Sequence, residues 1–211
     1  MFSFFFIIVD KNTNSRTILH RSGPSYDEIL DFSERVVENV DLVFLDGRFH
    51  NSALKLAKYA HAKNIPVFVD AEKEEHFVQD LFPYANIIKT SKRFSQSFYK
   101  SNNIEKNLRK IISTGAVAAI TTLGQDGSIL LTHEGLSKFD AASCNSIDTT
   151  GAGDVFNAGI IFGYLNKWKW NDTMNFASKI SSIKCESFGA RKGQPYLKDM
   201  REYFVKYKLK I

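Results

Sequence analysis

The sequence predicts an α/β fold, a mostly parallel sheet with helices on both faces, preceded by an N-terminal β-hairpin. Three observations carry this. From residue 25 onward, short apolar runs alternate with amphipathic helical patterns, which is the order of a layered α/β chain. The runs at 65–69 and 117–120 are apolar, as strands covered on both faces are. Polar residues cluster where those runs end, and in parallel sheets that edge is where ligands sit.

Taken in order, residues 2–9 form an aromatic and β-branched run that reads as a strand. It lacks a positively charged flank and is too short to span a membrane, so neither a signal peptide nor a membrane anchor is expected. Asn12-Thr13-Asn14 makes a turn, and 16–20 a second strand, giving a hairpin. We divide the chain into a partial hairpin at 1–22 and an α/β nucleotide-binding domain at 23–211. Ser25 and Glu28 have capping-box spacing, and Ile29, Phe32, Val36, Val37 and Val40 give the apolar face of the helix that follows. Strands are expected at 41–45, 65–69, 87–88, 117–122 and 128–132. Helices are expected at 52–63, 74–82, after Ser91, and at 104–113, 155–167 and 172–186, with a helical segment at the C-terminus. Gly124-Gln125-Asp126-Gly127 turns the chain between the last two strands.

Composition sets the outer limits. In 211 residues, 28 basic and 23 acidic side chains leave a net charge of +5, but no basic cluster is interleaved with aromatics. Lys206, Lys208 and Lys210 read as a solvated tail, so nucleic acid is not an expected partner. Cys144 and Cys185 make no disulfide framework and suit a reducing, cytoplasmic setting. His50, His61, His76 and His133 lack metal-ligand spacing.

The chemistry concentrates at residues 147–159. Gly151-Ala152-Gly153 leads into Asp154 and an apolar helical run. A small-residue turn opening a helix leaves backbone N–H groups without intrahelical partners, with the positive end of the helix dipole behind them. That is an anion cradle suited to phosphate. A carboxylate in the same first turn makes sense as a base that takes a proton from a group attacking phosphorus, so the stretch reads as a phosphoryl-transfer site. Phe156 stands where a Rossmann fingerprint would need its third glycine, and no Gly-Lys-Ser/Thr follows for a Walker A loop. Asp46, Asp70 with Glu72, Thr90-Ser91 and Thr122 are expected on one rim, onto which the helix from Gly151 should open as a nucleotide cleft. Gly124 and Gly127 suit a hairpin turn or a nucleotide site equally. Asp70 and Glu72 fit either plain strand-end polarity or a phosphate or metal role. Asp46 and Arg48 read as a structural ion pair, and Asp148 either caps its turn or binds a cation.

The run Asp148-Thr149-Thr150-Gly151-Ala152-Gly153-Asp154-Val155-Phe156-Asn157-Ala158-Gly159 resembles the C-terminal signature of the ribokinase (PfkB) family of carbohydrate kinases. Arg16-Thr17-Ile18, Asp46-Gly47-Arg48, Val69-Asp70-Ala71-Glu72-Lys73, Ser91-Lys92 with Phe94, and Ile183-Lys184-Cys185 with Gly189 are similar to its ketohexokinase-like branch. The resemblance implies a ribokinase-like fold and ATP-dependent phosphorylation of a sugar hydroxyl. Asp154 would be the general base, with the amides of Gly151, Ala152 and Gly153 around the γ-phosphate. Thr122, Gly124 and Gly127 would line the nucleotide site. Asp148 and Thr150 match positions that hold a monovalent cation, K+, in some members, and Mg²⁺ is expected with ligands unassigned. Ser91-Lys92-Arg93-Phe94 departs from the family's Asn-x-x-Glu, which bears on metal placement. The family's sugar-binding front, with its Gly-Gly motif, is expected to lie outside this chain, and the hairpin to be a remnant of the lid through which a homodimer would form. A non-catalytic module of the same fold is the other reading.

Overall fold

A computed structural model describes residues 4–9, 16–21, 37–72 and 76–210. The chain packs as two compact units, one of residues 26–140 and one of 1–25 together with 141–211.

The 26–140 unit is built on a six-stranded sheet: β3 (Val43–Leu45), β4 (Val67–Ala71), β5 (Ile87–Ser91), β6 (Ala118–Thr122), β7 (Ser128–Thr132) and β8 (Gly135–Phe139), side by side in that order. The ladders from β3 to β6 are parallel, and β6–β7–β8 continues antiparallel. All five positions of β4 are buried, as its continuous apolar run requires. Helices α1 (His50–Ala62), α2 (Lys92–Tyr99) and α3 (Ile104–Ile112) and a 3-10 segment at His76–Tyr84 join the strands. Leu81, Phe94, Leu108 and Ile111 from these connections pack with Val69, Ile88 and Ala119 of the sheet in one core. The expected cap of α2 is present: Ser91 Oγ accepts from the Phe94 amide at 3.1 Å. Asn107 is buried and its amide nitrogen donates to the carbonyls of Ser95 and Ser101, fastening α3 to α2. Strand β8 was not expected; three of its five residues are exposed, so no apolar period marks it. The capping box at Ser25 and the turn at Asn12–Asn14 lie outside the described residues.

In the other unit, β1 (Phe4–Val9) pairs antiparallel with β2 (Arg16–Arg21), the hairpin read from the sequence. Helices α4 (Ala152–Leu165) and α5 (Trp170–Cys185) pack closely because α4 presents glycines. A Cβ on Gly159 would lie 2.6 Å from Ala177 Cα, and one on Gly163 2.5 Å from Thr173 Oγ1. Val155, Phe176, Ile180, Met200 and Phe204 form the core, with Phe162 and Trp168 against them; Met200 and Phe204 bring in the short C-terminal helix α6 (Arg201–Tyr207).

The strand-end acids of the 26–140 unit serve a buried cation. Lys89 is 0% exposed, and its ammonium meets Asp70 at 3.0 Å and also Glu72. Burial would lower its pKa, but Asp70 and then Glu72 outweigh this and hold it above the ordinary 10.5. The pairing therefore contributes fully below the unfolded lysine's pKa, near 10.5, and fades as pH rises through the higher folded value. We expect Lys89→Met, which breaks this buried ion pair by removing one partner, to cost about 3–5 kcal/mol in urea melts at neutral pH. The gap to the wild-type chain should narrow only above pH 10.5. Equal stability at neutral pH would show that the pair contributes nothing.

Candidate active site

Helix α4 begins where the residue types require it to. Gly151 is its N-cap with φ +80°, a left-handed conformation that a residue with a Cβ adopts at a cost. A Cβ there would also stand 2.7 Å from the carbonyl oxygen of Ala190. Glycine is thus required twice, by dihedral and by space. The Val155 amide closes the first helical bond, to Gly151 O at 3.0 Å. The Ala152 amide donates to Thr149 O at 3.1 Å, a bond that an incoming anion would share. Among the described residues, the amides of Gly153 and Asp154 have no backbone carbonyl partner. These are the orphan donors of a helix start, with the positive end of the helix dipole behind them, an arrangement that suits an anion. Asp154 lies in the same first turn and is exposed.

The loop leading into this turn is pinned from below by Asp148, 3% exposed. Its Oδ1 accepts from the Thr150 amide at 2.8 Å and its Oδ2 from the Gly189 amide at 2.8 Å. Burial pushes its pKa up, but the hydroxyl and amide of Thr150, the Gly189 amide and the Lys184 ammonium prevail and hold it below the usual 3.8. The carbonyl of Asp148 accepts from Lys184 Nζ at 2.9 Å, and that ammonium also donates to Ser187 O at 3.1 Å. Cys185 O receives the amides of Ile147 and Asp148 at 2.8 and 3.1 Å. One end of α5 thereby holds the whole approach to the helix start.

Asp148, Thr150, Gly151, Ala152, Gly153 and Asp154 therefore share one loop and helix start in one unit. Thr122, Gly124 and Gly127 share the β6–β7 turn of the other, where Gly124–Asp126 is a 3-10 turn closed by Leu123 N to Gly127 O at 2.7 Å. The parallel ladders bring the ends of β3 to β6 to one edge of that sheet, as the sequence implied. There Thr90 and Thr121 share a hydroxyl hydrogen bond of 2.8 Å, and Lys92 lies 3.8 Å from Asp126. Of the open alternatives, Asp70 and Glu72 are engaged by Lys89. Asp46 pairs with Arg48 at 3.4 Å on the surface, as read from the sequence. His50 bonds Asp80 at 3.0 Å and stacks on Phe77. Among the described residues no three His, Cys, Asp or Glu side chains are grouped to hold a metal ion. No helix among them is long and apolar enough to cross a membrane.

Sequence reasoning missed Lys184 as a supporting residue, although a signal was present. It stands four residues after Ile180 and seven after Ala177, on the buried stripe of α5, where a lysine must find partners.

Comparison with known proteins agrees with this architecture. The chain is 29% identical over 179 residues to the ribokinase of Lactococcus lactis subsp. lactis (strain IL1403), covering 84% of this chain and 57% of that protein. It is 27% identical over 196 residues to the ketohexokinase of Mus musculus, covering 84% of this chain and 64% of that one. The crystal structure of the Thermotoga maritima ribokinase superposes with a TM-score of 0.81 at 22% identity, over 97% of this chain and 69% of that one, a likeness of fold. The chain thus spans under two thirds of the two sequence relatives just named. The family described as pfkB family carbohydrate kinase matches residues 3–196, nearly the whole length, and the chain belongs to that family.

Proposed function

We propose that this chain carries the phosphate-transfer machinery of an ATP-dependent sugar kinase. The observation that carries the reading is the pairing, in one helical turn, of amides at Gly153 and Asp154 that have no backbone carbonyl partner among the described residues with an exposed carboxylate at Asp154. A sugar hydroxyl gives its proton to the Asp154 carboxylate while its oxygen attacks the γ-phosphorus of Mg-ATP. The bond to the β–γ bridging oxygen breaks and ADP leaves. Phosphoryl transfer asks for positioning and charge stabilisation above all, which fixed amides at a helix start supply. Gly151 and Gly153 set that turn, and Ala152 joins them by sharing its amide. Thr122, Gly124 and Gly127 are assigned to the nucleotide. Mg²⁺ arrives with the nucleotide as part of the substrate. Arg16-Thr17-Ile18 and Asp46-Gly47-Arg48 support the ketohexokinase-like branch, although the ribokinase above is as similar as the ketohexokinase.

The reading is tested by coupled ADP release with a panel of ketoses, aldoses and ribose. Sugar-dependent ADP is expected, and none from a folded, soluble sample would favour the non-catalytic module. Asp154→Asn should lower kcat by about 10²–10⁴-fold, the usual contribution of a positioned base, with ATP affinity nearly unchanged. Equal loss of turnover and ATP binding would remove the base role. Gly151→Ala should cost roughly 1–3 kcal/mol of stability, since it forces a strained φ and a backbone clash at once. Its kcat should fall at least about tenfold as the amides lose alignment. A variant with wild-type melting and turnover would show that the turn tolerates a Cβ.

A further inference from the structure

The oxygens that a monovalent cation would need beside Asp148 already have a cation among them. Lys184 is 0% exposed, and its Nζ lies 2.9 Å from the carbonyl of Asp148 and 3.1 Å from that of Ser187. Each Asp148 carboxylate oxygen already accepts one hydrogen bond, from the amides of Thr150 and Gly189. A bare K+ is held by replacing its water shell with carbonyl and carboxylate oxygens. Here two of those carbonyls are spent on an ammonium, and a second positive charge beside it would be repelled in a buried site where screening is weak. The residues do not fit an exchangeable ion.

We propose that Lys184 is a built-in monovalent cation: its ammonium takes the place of K+ beneath the Thr149–Asp154 turn, so this chain is ordered without any exchangeable cation. A tethered cation costs no binding event, so the turn stays arranged whatever the salt. It also explains why a lysine is buried at this point at all. Ionised Asp148 and two carbonyls offset its desolvation, as an isolated ammonium there would not be tolerated. Lys184 acts through Asp148 and the backbone, and so is a positioning residue rather than a catalytic one. The inference concerns the same turn as the kinase reading but does not depend on turnover.

Thermal unfolding of the whole chain, at matched ionic strength in KCl, NaCl and choline chloride, tests it without reference to catalysis. The wild-type Tm should be the same in all three salts. Lys184→Ser empties the space around the two carbonyls and should melt lower in choline chloride. It should regain at least about 2 °C in a saturable way with KCl or NaCl, as a newly formed cation site would give. Lys184→Met removes the charge but still fills the space, and should melt lower without that rescue. A saturable KCl-specific rise in the wild-type Tm would overturn the proposal, and this arm decides even if neither variant folds. So would a folded Lys184→Ser chain that responds to salt no more than the wild type. Sugar-dependent ADP release bears on the kinase reading alone, so the two can fail separately.

Discussion

The functional loop depends on one buried electrostatic knot, the Asp148 side chain and carbonyl held between Thr150, Gly189 and Lys184. A helix start with empty amides is useful only if the loop before it cannot move, because misplaced donors stabilise no charge. Three separate stretches meet at Asp148: the loop itself, the last turn of α5 and the glycine-bearing segment after it. The carboxylate satisfies two amides and the carbonyl one ammonium, so each oxygen of Asp148 has a partner. That turns a costly burial of charge into a constraint on geometry.

The two units use the same device for different ends. In the sheet, Lys89 is buried beside Asp70 and Glu72 and ties the middle of β5 to the end of β4. Under the loop, Lys184 answers mainly to backbone carbonyls. Carboxylates compensate a lysine by charge, carbonyls by dipoles. The second arrangement leaves the Asp148 oxygens to orient amides, those of Thr150 and Gly189 beside the Gly151–Asp154 turn. The difference in partner chemistry thus matches a difference in task, strand-end cohesion in one case and loop alignment in the other.

Much of this was legible in the sequence, for physical reasons. The strands β4 to β7 announce themselves as short, largely apolar runs because they are buried, and Ser91 shows itself as a cap because a hydroxyl before a helical pattern has few other uses. The Gly151–Asp154 turn was visible because Gly151 answers to a backbone demand, seen here in its φ of +80° and in the nearby Ala190 carbonyl. What stayed hidden rests on partners distant in sequence. β8 is mostly exposed and paired on one side only, so it carries no period. Lys89 and Lys184 read as charged residues that belong in water until the fold supplies Asp70, Glu72, Asp148 and Ser187. The strand-end acids invited a metal or phosphate reading because a sequence shows the carboxylates of an ion pair without showing which lysine they meet.

Glycine and lysine together explain how α4 and α5 serve the loop. Gly159 and Gly163 let the two helices approach until side chains touch backbone, which fixes the end of α5 relative to the start of α4. Ser181 Oγ adds a bond to the carbonyl of Ala152 at 3.0 Å, directly beneath the turn. From that fixed position one further helical turn carries Lys184 to the Asp148 carbonyl. Any loosening between the helices would shift the ammonium and the turn together, since both are referenced to α5. The helix pair is therefore a ruler as well as a core. The small residues along α4 matter to the site although none of them beyond the first turn faces an anion.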